Sequence, residues 1–295
     1  MSGGPDPRLC VPILTYHSYR CGDRYEQSDH VALHDDLRAI HAHGHTIVPL
    51  RWIAEWTVGS RRFPEPMRPV GICFDDGADL DYRDLMHPLF GPQKSFATIL
   101  REFADEIGAG SQPHLQATAF VIASPEVRRW LDERGLHGLG WMSDDWWAQA
   151  SRSGLIEIAS HSWDHCHEVA ESVCARSDRR GTFRDVATLE ECDCEVARAA
   201  SFIGDRIAPE WPVLFAYPYG ESSSYLREVY LPGRAERHGT LAAFGASGGY
   251  VTRESSRWNL PRLVCGAHWT SGRELEQALL ASRADGGAAS DGRTA

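Results

Sequence analysis

The sequence predicts an α/β domain on parallel strands, and three observations predict it. Short β-rich apolar runs alternate with stretches of helical periodicity along the whole 295-residue chain, the pattern of βα units. There are about eight such runs and no Pro/Gly/Ser-rich linker between two halves, which fits a single barrel better than two domains. Several runs end in polar clusters, where a parallel barrel gathers its chemistry.

The runs are residues 11–15, 46–50, 70–74, 117–122, 155–159, 213–216, 241–244 and 260–264. Between the first two, Leu33, Leu37 and Ile40 recur at helical spacing and Gly44 follows as a stop. Residues 96–107, preceded by Gly91-Pro92-Gln93-Lys94, read as an extra helix inserted after the third strand, either a roof over the site or a decoration. Ser124-Pro125 supplies an N-cap and a first-turn proline to a helix ending at Gly135, and residues 143–154 repeat that punctuation with Ser143 and Gly154. The barrel is expected over residues 9–282. Residues 283–295, rich in Gly, Ala, Ser, Asp and Arg without periodicity, are expected to form a disordered tail.

Apolar residues at 42% and charged residues at 24% are ordinary globular values. A formal net charge of −11 argues against nucleic acid and anionic polymers as partners, since both are bound through basic surfaces. No stretch approaches the roughly 20 apolar residues of a membrane span. Residues 1–12 lack a basic segment followed by an apolar one, so a cytoplasmic location is expected. Eight cysteines are too sparse for a disulfide scaffold, and Cys73 and Cys265 lie in apolar runs as reduced thiols. Cys192 and Cys194 form a CxC inside a helical pattern with no second cluster, which reads as ordinary thiols rather than a metal site. The sequence does not define an oligomeric state.

Four run ends carry the functional candidates: Thr15-Tyr16-His17-Ser18, Phe74-Asp75-Asp76-Gly77, Ser160-His161-Ser162-Trp163-Asp164-His165 and Tyr217-Pro218-Tyr219-Gly220. Adjacent carboxylates past an apolar strand repel each other unless a cation neutralises one, and Gly77 permits the tight turn that aims both inward. In isolation, Asp-Asp-Gly reads first as a plain surface turn, and that reading loses ground once His161 and His165 are added. His161 and His165 fall on one face if their segment turns helically, and two imidazoles with one carboxylate suit zinc or a similar divalent ion. Three protein ligands with a fourth position left to water is the arrangement of catalytic zinc.

Phe74-Asp75-Asp76-Gly77, His161-Ser162-x-x-His165 and Pro218-Tyr219-Gly220, in this order, make the chain resemble the polysaccharide deacetylase family, carbohydrate esterase family 4, over about residues 11–268. The resemblance implies a distorted (β/α) barrel of seven or eight strands and metal-dependent hydrolysis of acetyl groups on sugars. It implies Asp75 as general base, Asp76, His161 and His165 as ligands of a divalent metal, with zinc the default, and the Tyr219 backbone N–H as a donor to the oxyanion. The family's late leucine-rich histidine motif is not recognisable, which leaves His17 and His268 as candidates for the general acid. The arginine often found before Pro218 is replaced by Val213-Leu214-Phe215-Ala216, and a subgroup with a similar Leu260-Pro261-Arg262 pattern implies that Arg262 is the cation beside Asp75.

Trp163, Trp258 and Trp269 lie near these motifs as candidate platforms for a sugar ring, core packing being their ordinary role. Cys166 and His167 are alternative ligands only if adjacent side chains converge, which is rare. The expected function is a cytoplasmic, metal-dependent deacetylase acting on the acetamide of an N-acetylated sugar or sugar precursor. The alternatives are hydrolysis of another linear or cyclic amide by the same chemistry, or a non-catalytic glycan-binding barrel.

Overall fold

The computed structural model describes residues 9–282 except 109, 136–137 and 168–181. The predicted tail, residues 283–295, lies outside the described residues. One parallel sheet dominates. Its path is β10 (Leu263–Val264), β1 (Ile13–Tyr16), β3 (Pro69–Phe74), β6 (Ala117–Val121), β7 (Ile156–Ser160), β8 (Leu214–Ala216) and β9 (Ala242–Phe244). An eighth strand, β2 (Thr46–Ile47), pairs with the start of β3. A parallel bridge from Phe244 to Leu260 links β9 to the segment entering β10, so the sheet curls toward closure. This is the distorted β/α barrel expected, in a single domain.

The predicted run 46–50 shortens to two strand residues because Pro49 has no N–H for a ladder and instead precedes α2 (Leu50–Thr57). In α1 (Asp29–Ala42), Ser28 accepts a hydrogen bond from the Val31 N–H, Leu33, Leu37 and Ile40 are buried, and Gly44 turns the chain at φ 69°. The helix α3 (Phe96–Ile107) is capped by Ser95 and buries Phe96, Ala97, Ile99, Leu100 and Phe103 beside α1. It is the crossover between β3 and β6, neither a roof nor a decoration. The inserted piece is the antiparallel hairpin of β4 (Leu85–His87) and β5 (Gly91–Gln93), which has no alternation to read because Met86 and Leu89 are exposed.

The helix α4 (Pro125–Gly135) begins as expected, with the Ser124 hydroxyl accepting from the Val127 N–H. In α5 (Trp147–Ser153) Gly154 is the left-handed C-cap, but Ser143 is not the N-cap. Its N–H and hydroxyl both donate to Asp79, at 2.8 and 2.9 Å, and Trp146 takes the cap position. Further on, α6 (Leu189–Cys192) starts in a capping box of Thr188 and Glu191, passes into a π-helical stretch (Asp193–Arg198) and continues as α7 (Ala199–Ile207). Near the end of the described chain, α8 (Gly272–Ala281) packs on α1.

Side chains alternate across the sheet, and the parity decides which groups can meet. Leu14, Tyr16, Ile72, Phe74, Ala119, Val121 and Ile158 pack with buried residues of the helices. On the opposite parity Ile13, Cys73, Phe120, Ala159, Leu214, Ala216, Ala242 and Phe244 fill the inside of the curl, with the Phe120 and Phe244 rings 5.5 Å apart. His17, Asp75 and His161 continue that inner parity, each one residue past its strand. They therefore stand together on a packed floor at the C-terminal rim.

Candidate metal centre

Asp76, His161 and His165 each present a ligand atom within 4.8 Å of the other two. The His161 Nε2 is 3.6 Å and the His165 Nε2 3.5 Å from Asp76 Oδ1. His161 donates its Nδ1–H to the Ala216 carbonyl at 2.9 Å, which leaves the Nε2 lone pair facing the carboxylates. Burial lowers the proton affinity of both histidines, and neutral imidazole is the ligating form. Burial and then the charge of Asp75 push Asp76 up to about 7, although Arg262 pulls the other way. A half-buried carboxylate without an ion-pair partner of its own, with two imidazole lone pairs turned toward it, is a donor set that fits a divalent cation.

Next to it, Asp75 is matched to Arg262 by two parallel hydrogen bonds, 2.6 Å to Oδ1 and 2.9 Å to Oδ2. Arg262 is fully buried, donates its Nε–H to the Gly245 carbonyl, and lies over Phe120 with 5.3 Å to the ring centre. Burial alone would raise Asp75. The charges of Arg262 and His161 and the Arg262 hydrogen bonds outweigh it and hold the carboxyl well below its usual range. Asp75 is therefore ionised, and each oxygen keeps acceptor capacity beyond its bond to Arg262.

The backbone at this rim is unusual. Among the described residues, the non-glycine residues with positive φ are Asp76, Ser162, His165, Cys166 and Tyr219, all on the motif loops. Left-handed backbone is costly for such side chains and persists where its surroundings enforce it. This corrects the helical expectation for residues 161–165: the histidines converge through left-handed turns at Ser162 and His165. Gly77 is needed for space as well as for its φ of 76°, because a Cβ there would lie 2.7–2.9 Å from Val121, backbone included. Gly220 has the same constraint against Ala246, with a Cβ 2.5–3.1 Å away.

His17 follows Tyr16, whose carbonyl accepts the Asp75 N–H, and its own N–H donates to Asp29 at 2.7 Å. Burial lowers its ring to about 4, Asp75 opposes that, and Arg262 and His161 add to it, so His17 is in electrostatic contact with these three groups. His268 is placed differently. Its Nδ1 accepts the Val264 N–H at 2.9 Å, its ring lies against Gly248, and among the described contacts none joins it to Asp75, Asp76 or His161. Tyr219, at φ 57° in the Pro218–Gly220 turn, sets its ring edge-on to His165 with centroids 4.5 Å apart, which brings its backbone to the same rim.

Sequence reasoning missed Tyr19, whose exposed ring is 5.5 Å from that of His17 and whose hydroxyl is influenced by burial and then by Asp76. It also missed Asp29, paired with Arg20 at 2.8 Å and holding the His17 backbone. Nothing in local spacing marks either residue. Trp269 is core, donating to Asp36, and Trp163 is covered by Arg198 at 3.5 Å. Cys166 groups instead with Asp164 and Glu195, their candidate ligand atoms lying within 4.8 Å of one another.

A curled β/α sheet with an Asp-His-His cation site beside an Asp-Arg pair defines a metal-dependent hydrolase. The polysaccharide deacetylase family model matches residues 64–231, more than half of the chain, and the chain belongs to that family. It is a deacetylase, hydrolysing the amide that joins an acetyl group to a sugar nitrogen, and the family depends on a divalent metal. No curated protein matches the sequence. The fold is similar to that of the Streptococcus pyogenes deacetylase PplD in complex with acetate, at 14% identity and TM-score 0.61 over 92% of this chain and 99% of that one. IcaB from Ammonifex degensii gives 16% and 0.60 over 94% and 98%, and a de-N-acetylase from Aggregatibacter actinomycetemcomitans 16% and 0.55 over 90% and 99%. At these identities the likeness is one of fold. No helix among the described residues is long and apolar enough to cross a membrane.

Proposed function

We propose that the chain removes acetyl from the acetamide of an N-acetylated sugar with zinc as resident metal, Asp75 as base and His17 as acid. The observation that carries the reading is the meeting of His17, ionised Asp75 and the Asp76-His161-His165 set on one rim. Two histidines and one aspartate suit zinc, with iron or cobalt able to replace it. A divalent cation held there supplies Lewis acidity toward the acetyl carbonyl and makes water acidic enough to react near neutral pH.

The chain's own groups do the rest. Asp75, kept ionised by Arg262, accepts a proton from the attacking water. The Tyr219 backbone N–H donates to the oxygen that gains charge as the carbonyl carbon becomes tetrahedral. His17 delivers a proton to the departing amine; burial holds its ring at about 4, so it is neutral near pH 7 and acts as acid once it has taken up a proton during the reaction. Tyr19 and Tyr219, both more than a third exposed, offer ring faces to the sugar. The described cysteines are all free, which supports a cytoplasmic location and a soluble sugar or sugar precursor as substrate.

The test is a hydrolysis panel of N-acetyl sugars, ureides and imides with zinc-replete protein, joined to cell fractionation. Acetate release from the sugars is expected. His17→Gln should lower turnover by roughly 10² or more while retaining metal, and His268→Gln should change little. The reverse order would transfer the acid to His268, and an extracellular pool would remove the proposed location.

A further inference from the structure

The loop that brings His161 and His165 together is held from the side by a residue outside every motif. Glu195 sits on the π-helical stretch Asp193–Arg198 and is 4% exposed. Its Oε2 accepts the Asp164 N–H at 3.3 Å, and its carboxyl also meets the side chains of Ser162 and Asp164. Ser162 accepts the His165 N–H at 2.9 Å, which leaves its single hydroxyl proton for Glu195. Asp164 in turn accepts the Cys166 N–H at 2.8 Å. The side chains of Ser162, Asp164 and Glu195 thus tie down the loop whose left-handed turns at Ser162, His165 and Cys166 cost energy.

The proton count gives the cluster its form. Asp164 and Glu195 are both buried and share a hydrogen bond, which two ionised carboxylates cannot do. One proton therefore lies between the two carboxyls, and Glu195 also accepts from the Asp164 N–H and the Ser162 hydroxyl. A π-helical stretch widens the turn at this point, and such stretches recur at functional sites.

We propose that Glu195 is a positioning residue, setting the curl of the 161–165 loop and with it the bite of the two histidines on a divalent cation. The inference rests on the metal reading of Asp76, His161 and His165. Groups that orient ligating histidines typically govern metal affinity by about 10- to 100-fold.

The test is a Co²⁺ titration of metal-free protein, followed by visible absorption, with melting temperatures of the metal-free forms alongside. Glu195→Leu should weaken Co²⁺ binding by about 10- to 100-fold. Glu195→Gln should stay close to wild type in Co²⁺ affinity, because an amide can donate to Asp164 and accept from its N–H. Ser162→Ala should weaken binding in the same sense as Glu195→Leu. Should Glu195→Leu fail to fold, Glu195→Gln and Ser162→Ala still decide. Unchanged affinity in Glu195→Leu or Ser162→Ala overturns the role. A fall in Glu195→Gln as deep as in Glu195→Leu, with wild type taking up a second Co²⁺, overturns it in favour of Asp164, Cys166 and Glu195 as ligands themselves. Wild type that binds no Co²⁺ removes the metal reading and the positioning role with it, whereas tight wild-type binding matched by Glu195→Leu removes only the role.

Discussion

Asp75 and Glu157 both point to the inside of the same sheet, one at each end of it, and they take opposite protonation states. At the C-terminal rim Asp75 has the Arg262 fork and remains ionised. At the other end Glu157 has the Thr118 hydroxyl at 3.2 Å, its register partner on β6, and burial pushes it up to about 7 against weaker opposition from Thr118 and Arg51. It borders a cavity of about 390 Å³ with Trp52, Gln116, Glu210 and Trp211. Both carry a carboxyl group, and the parity is the same. A buried guanidinium makes one carboxylate a usable base, and without one the other holds its proton up to about pH 7. Strain follows the same division, since the left-handed non-glycine residues lie on the rim loops.

Removing the rim charges should therefore have the largest effects. Asp75→Asn is expected to keep about one metal per chain and lose roughly 10² to 10⁴ in turnover, the usual cost of a lost base. Asp76→Asn, His161→Ala and His165→Ala should lose the metal, measured by elemental analysis. Loss of metal in Asp75→Asn with retention in Asp76→Asn would exchange the two roles. Arg262→Leu strands Asp75 as a buried unpaired charge. A loss of about 3–5 kcal/mol is expected, on the order of 10 °C in melting temperature, together with turnover. An unshifted melting curve would mean that Asp75 is solvated by something other than Arg262.

The sheet was legible because each strand is a short apolar run with turn residues beside it, and parallel strands bury both faces. Residues 70–74 became Pro69–Phe74 with hardly a shift. The motif residues were legible because they follow strand ends, where parity and the rim bring them together. What escaped depends on partners far apart in sequence. Ser143 carries a good capping residue type, yet Asp79, 64 positions away, takes its N–H and hydroxyl. Periodicity found the helix at residues 96–107 but not its place as a crossover, because placement depends on α1 and the sheet. No spacing rule connects Glu195 to residues 162–164, and His17 and His268 became distinguishable only through what each ring faces.

Glycines sharpen the comparison at a smaller scale. Gly77 and Gly154 have similar φ values, 76° and 72°, but a Cβ on Gly77 meets Val121 while one on Gly154 meets nothing within 4 Å. Gly154→Ala should cost only the left-handed backbone, about 1–2 kcal/mol. Gly77→Ala should cost more and displace Asp76, so Co²⁺ affinity should fall with stability. Equal losses in the two variants, with unchanged metal affinity, would show that the rim accommodates a methyl group.

The remaining effect, at Glu157, depends on pH, and its sign follows from linkage. Its folded value of about 7 lies above the ordinary glutamate value of about 4.3, so the folded chain binds more protons than the unfolded chain between those two values. The contribution of Glu157 to stability is fully present below about pH 4, declines as pH rises through that window, and is gone once the folded carboxyl has ionised above about 7. Glu157→Gln keeps an acceptor for the Thr118 hydroxyl and removes the titrating proton. Denaturant melts of the pair at several pH values should therefore show the variant gaining on wild type as pH rises from about 4 to 7, with the difference constant above that. A difference that does not vary with pH would mean that Glu157 is already ionised at pH 5, and the contrast between the two ends of the sheet would then be one of position alone.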